Sequence, residues 1–113
     1  MHEMSIAQSI IDIAIDEAAK HAADKVKRIV IEVGALACVD PHALEFGFEA
    51  VSNGSVAEGA RLEILSVPAT AYCFSCEDPV EVRHAGSACP VCGSRQLMMK
   101  EGDDLRVKEM EVV

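Results

Sequence analysis

Cys73-Phe74-Ser75-Cys76 and Cys89-Pro90-Val91-Cys92-Gly93, two Cys-x-x-Cys knuckles with twelve residues between them, decide how this chain is built. That spacing lets two β-turns face each other and offer four thiolates to one tetrahedral ion. Each knuckle bends tightly enough to aim backbone N–H groups at sulfur. Gly93 also suits the positive φ that such a turn requires, so the second knuckle is expected to be the better formed. A closed tetrathiolate shell keeps no position for water. Cys73, Cys76, Cys89 and Cys92 therefore predict structural zinc, with iron the competing occupant.

Around the knuckles, from Ala69 to about Met99, large apolar residues are sparse while prolines, glycines and cysteines are frequent. Order there is expected to come from the metal, in a module of residues 69–102. On the N-terminal side, Ala60–Val67 alternates, with Leu62 and Ile64 on one face and Arg61 and Glu63 on the other, until Pro68 breaks it. On the C-terminal side, Leu105–Val113 resumes alternation and is expected to return to the same sheet as a further strand.

Further out, Asp40-Pro41 reads as an N-cap followed by a first-turn proline, with Leu44, Phe48 and Val51 on one helical face up to Asn53-Gly54. Val26–Val33 alternates as a half-buried strand ended by Gly34. Met4, Ala7, Ile11, Ala14 and Ala18 recur at helical spacing between Met4 and Ala22. The expected fold is α+β: a small mixed three-stranded sheet with two helices over residues 1–68 and 103–113, carrying an inserted zinc ribbon.

With 113 residues, the chain has room for one small domain and a metal-stapled module. Its 19 acidic and 10 basic residues give a net charge of −9, which repels a phosphate backbone. One Tyr and three Phe offer few stacking platforms, so nucleic acid is excluded as a partner. The Ile- and Ala-rich stretch 4–19 lacks a basic leader and is interrupted by Asp12, Asp16 and Glu17, so neither a signal peptide nor a membrane span is expected. Paired Cys-x-x-Cys spacing without an export signal places the thiols in a reducing compartment, and a cytoplasmic protein follows. No histidine is set beside a cysteine or serine by any pattern, and the metal shell is closed, so the chain is not expected to be an enzyme. Cys38 reads as a small buried residue rather than a reactive thiol. His84, between the knuckles, reads as a solvated loop histidine beside an already complete shell.

The opening Met1-His2-Glu3 offers a second kind of site. A free amine on Met1, the His2 amide nitrogen and the His2 imidazole Nδ1 close two chelate rings in one plane. That arrangement suits nickel(II) or copper(II) far better than tetrahedral zinc. Glu3, another histidine or a partner protein is left to fill the fourth position. By itself a histidine at position 2 is also what a frayed terminus carries, and the zinc staple would then serve a plain interaction domain.

Taken together, Met1-His2-Glu3-Met4-Ser5, Val33-Gly34-Ala35-Leu36, Pro41, Phe46-Gly47-Phe48-Glu49, the Cys-x2-Cys-x12-Cys-x2-Cys pattern and Leu105-Arg106-Val107-Lys108-Glu109 resemble, end to end, the HypA/HybF family of hydrogenase nickel-incorporation proteins. The resemblance implies a nickel metallochaperone that works with the GTPase HypB to supply the large subunit of [NiFe]-hydrogenase during maturation. It implies nickel on His2, a part for Glu3 in nickel handling, and zinc on Cys73, Cys76, Cys89 and Cys92. Some relatives offer nickel a further histidine where this chain reads Leu97-Met98-Met99. A monomer or weak homodimer is expected.

Overall fold

The computed structural model describes residues 3–37, 39–84, 86–102 and 104–113. The first helix, α1 (Glu3–Lys20), buries Ala7, Ile10, Ile11, Ala14 and Ala18 along one stripe. Its end is closed by backbone alone: Ala23 N donates to Ala18 O at 2.8 Å and Ala22 N to Ala19 O at 3.2 Å. Ala22 takes the left-handed conformation, φ 50°, that this paired closure needs at the residue past the cap. After strand β1 (Val26–Gly34) comes α2 (Pro41–Ser52). Asp40 accepts from His42 N at 3.0 Å and Ala43 N at 3.4 Å, and Pro41 occupies the first turn, so both sequence signals are used. The two helices pack closely: a Cβ on Gly47 would stand 2.8 Å from Met4 Sδ and 3.6 Å from Ala7 Cβ.

Strands β2 (Arg61–Val67) and β6 (Leu105–Val112) flank β1 in the order β2-β1-β6. Gly34 N donates to Asp104 O at one end of β1, and Val113 N donates to Lys25 O at the other, so β6 runs antiparallel to β1. Val26 N donates to Val56 O and Ala35 N to Val67 O, so β2 runs with β1 and is reached through α2. The expected mixed sheet with two helices is what forms. β1 is the most buried strand, with Val26, Ile29 and Ile31 fully enclosed.

Between β2 and β6 the chain makes a second sheet, β4-β3-β5, from β3 (Ala69–Cys73), β4 (Asp78–Val82) and β5 (Leu97–Glu101). Both pairings are antiparallel: Cys73 lies opposite Asp78 on one side and Leu97 on the other, with an irregularity at Thr70/Ala71. This module has a core of its own, contrary to the expectation that metal alone orders it. Ala69, Ala71, Cys73, Val80, Val82 and Cys89 form a buried cluster, against which Ala35, Leu36, Leu97 and Met99 pack. Four of its six residues are alanines and cysteines, which carry no large apolar signal in the sequence.

The chain divides into two compact units. One takes the chain up to Ile31, with Val39–Ile64 and Val107–Val113; the other takes Leu65–Arg106 and the stretch from Glu32 through the loop after β1. Among the described residues, no helix is long and apolar enough to cross a membrane.

Candidate metal centre

Each knuckle starts where a strand of the small sheet ends or where a neighbouring loop is tied to it. Cys73 is the last residue of β3, and Glu77 N donates back to Cys73 O at 2.8 Å. Cys89 repeats the arrangement: Gly93 N donates to Cys89 O at 2.8 Å. The residue closing each turn has positive φ, 56° at Glu77 and 78° at Gly93. The two knuckles are therefore built alike. The glycine that marked the second as better formed has a non-glycine counterpart in the first. Backbone amides reach the first sulfur of each pair, Cys76 N to Cys73 Sγ at 3.4 Å and Val91 N to Cys89 Sγ at 3.4 Å. The knuckles are also joined directly, Ser75 Oγ donating to Ser94 Oγ at 3.0 Å.

Among the described residues, Cys73, Cys76, Cys89 and Cys92 are the group able to hold a metal ion, their sulfurs all within 4.8 Å of one another. The closest pairs cross between knuckles, Cys73 to Cys92 at 3.7 Å and Cys76 to Cys89 at 3.8 Å. A tetrahedron with metal–sulfur bonds of about 2.3 Å has edges of about 3.8 Å, the length of the two cross-knuckle separations. These separations are far beyond a disulfide bond of about 2.05 Å, and all four thiols are free. Cys73 and Cys89 are buried, Cys76 is half-buried and Cys92 is exposed.

The thiols are electrostatically unequal. The backbone N–H of Cys92, helped by that of Val91, draws the Cys89 thiol down to about 6. Hydrogen bonding with Cys92, followed by burial, pushes the Cys76 thiol up. A metal must displace the protons of all four, and Cys89 gives its proton up more easily than Cys76.

The other sequence candidates stand elsewhere. Met1, His2 and Cys38 lie outside the described residues. Glu3 opens α1, and its Oε2 accepts from the backbone N–H of Asp40 at 3.2 Å. One carboxylate oxygen thereby ties the start of α1 to the cap of α2, a contact between residues far apart in sequence and without a local signal. His84 is exposed, and its carbonyl accepts from Ser87 N. On β5, Leu97 and Met99 pack on the ribbon core while Met98 is exposed.

Two facing knuckles with four converging sulfurs, set on a small three-stranded sheet, define a ribbon able to bind a metal. The family model described as "Hydrogenase/urease nickel incorporation, metallochaperone, hypA" matches residues 1–112, and the chain belongs to that family. The chain is 49% identical over 112 residues to the hydrogenase maturation factor HypA of Azotobacter chroococcum mcd 1, covering 99% of each. It is 44% identical to that of Dechloromonas aromatica (strain RCB), again over 99% of each. Among solved structures, a HypA protein in solution aligns at TM-score 0.70 with 25% identity, over 100% of this chain and 97% of that one. The Ni metallochaperone HypA from Helicobacter pylori has the same fold, at TM-score 0.67 and 23% identity, over 100% and 98%. The family is one of metallochaperones and maturation factors rather than enzymes.

Proposed function

We propose that this chain captures nickel(II) at its N-terminus and, with a HypB-type GTPase, delivers it to the large subunit of [NiFe]-hydrogenase in the cytoplasm. The Met1 amine and the His2 amide and imidazole nitrogens supply a planar donor set, and Glu3 is a further candidate ligand. Zinc on Cys73, Cys76, Cys89 and Cys92 supplies a structural staple. Nickel capture belongs to residues 1–68 and 103–113, and the zinc staple to 69–102. The protein works as a monomer or weak homodimer.

The observation that carries this reading is the family match over residues 1–112, which takes in Met1-His2-Glu3 as well as the four cysteines. The four converging sulfurs support a closed tetrahedral site, and the Glu3–Asp40 bond ties the start of α1 to the cap of α2. The test is a nickel(II) titration of zinc-loaded protein with an untagged N-terminus, followed by its optical spectrum and repeated on His2→Ala. One equivalent with a planar nitrogen-donor spectrum, lost in His2→Ala, is expected. Binding that ignores His2 would overturn the terminal site, and no binding would leave a zinc-stapled interaction domain.

A further inference from the structure

Charge is segregated in the unit that holds the helices. No Lys or Arg occurs before Lys20 or between Arg28 and Arg61. As a result α1 and α2 carry Glu3, Asp12, Asp16, Glu17, Glu45 and Glu49 against Lys20 alone. The unit's other Lys and Arg residues are Lys25, in the loop just before β1, and Lys27, Arg28, Arg61 and Lys108 on the strands.

Into this acidic layer the chain sets four exposed large apolar side chains, Met4, Ile13, Ile15 and Phe46, of which Phe46 and Met4 are the most exposed. Phe46 is 73% exposed and Met4 is 52% exposed. Met4 Sδ lies against Gly47, the residue after Phe46, so Met4 stands where α1 meets the turn of α2 that carries Phe46. The buried stripe of α2 is Leu44, Gly47, Phe48 and Ser52, and Phe46 lies outside it. His42 and Glu49 stand one turn to either side of Phe46, and Glu45 is adjacent in sequence. An exposed aromatic anchor with an acidic rim has the anatomy of a docking site whose centre supplies affinity and whose rim selects charge.

We propose that the outer face of α1 and α2, centred on Phe46 and Met4, docks a partner-protein segment that bears an apolar anchor ringed by lysines and arginines. A second copy of this chain is a poor occupant, because a two-fold contact sets the same acidic rim against itself. Nucleic acid and anionic lipid are repelled by the same charge. The patch begins two residues after His2, so a segment seated there lies next in sequence to the proposed cargo site. The inference rests on the carrier reading and identifies the surface through which the GTPase engages the carrier.

The experiment uses zinc-loaded full-length protein with a native N-terminus and a purified HypB-type GTPase as the probe. Affinity is measured at about 50 and 500 mM salt, where screening differs strongly. Phe46→Ala is expected to weaken binding at least about tenfold at both salts. The Glu45→Lys/Glu49→Lys double variant is expected to weaken it at low salt, with the loss shrinking at high salt. A photo-crosslinker at position 46 should capture a Lys/Arg-rich peptide of the GTPase. Nickel capture is titrated on the same preparations, so failure of the carrier reading is seen separately. Unchanged affinity in Phe46→Ala, tighter binding by the charge-reversed variant, or capture of an acidic peptide overturns the surface. Wild-type protein that binds no GTPase overturns it together with that choice of partner.

Discussion

Ala22 and Glu77 sit at φ 50° and 56° without being glycine, each closing a turn that the surrounding backbone hydrogen bonds over-determine. A Cβ in the left-handed region costs about 1–2 kcal/mol. Ala22→Gly removes that cost and returns part of it as extra freedom of the unfolded chain. A net gain of about 0.5–1 kcal/mol is expected, read as a raised urea midpoint at unchanged slope. Lower stability in Ala22→Gly would show that the α1 terminus tolerates alanine without strain. Such positions also mark where the sequence is hardest to read. Gly93 announces its turn, whereas an alanine or glutamate in the same conformation leaves no trace, because the demand comes from hydrogen bonds around it. The Glu3–Asp40 contact is equally silent, since it joins residues that only the packing of α1 on α2 brings together.

At the scale of elements, Arg28 on β1 reaches to both flanking strands. Its Nε donates to Glu63 Oε1 on β2 at 2.8 Å, and its Nη2 lies 3.7 Å from Glu109 Oε1 on β6. The hydrogen bond from Arg28 is the main reason the Glu63 carboxyl is held below its ordinary 4.5. A depressed carboxyl contributes stability that is complete above the ordinary value and lost as pH falls through the folded one. Glu63→Gln should therefore flatten the acid limb of the stability curve below about pH 5, with little change in its slope near neutrality. Equal acid slopes for the two proteins, measured by urea unfolding from pH 3 to 7, would place the acid sensitivity elsewhere. The elements themselves were legible where periodicity had room to show. α1, α2, β1, β2 and β6 run seven residues or more and were read within one or two residues at most ends. β3, β4 and β5 have five residues each and were not read. Alternation over five positions is short, and Ala69, Ala71 and Cys73 do not look like core residues until a partner strand covers them.

For the whole molecule, the question is what the metal holds. The Cys-x-x-Cys spacing disclosed the cage, and the return of Leu105–Val112 to the first sheet disclosed that the ribbon is an insertion. What spacing did not disclose is that the ribbon's unit recruits the loop after β1. Ala35 and Leu36 pack on the ribbon cluster, with Ala35 N bonded to Val67 O at 2.9 Å and Leu36 N to Gly102 O at 2.7 Å. The fit there is tight, since a Cβ on Gly102 would come within 2.4 Å of the Ala69 Cβ. Two of the six buried residues of that cluster, Cys73 and Cys89, also belong to the four-cysteine group able to hold a metal, so a metal bound there would fasten the cluster from within. Hydrogen exchange on protein stripped of metal by a strong chelator should lose protection through β3, β4 and β5. The loss should extend to the amides of Ala35 and Leu36, far away in sequence. Amides of α1 and of β1 up to Ile31 have a core of aliphatic residues without cysteine and should keep theirs. Protection retained at Ala35 and Leu36 after complete metal removal would mean that alanine and valine packing alone sustains the ribbon. The four thiolates would then be a site placed on a finished fold rather than part of its core.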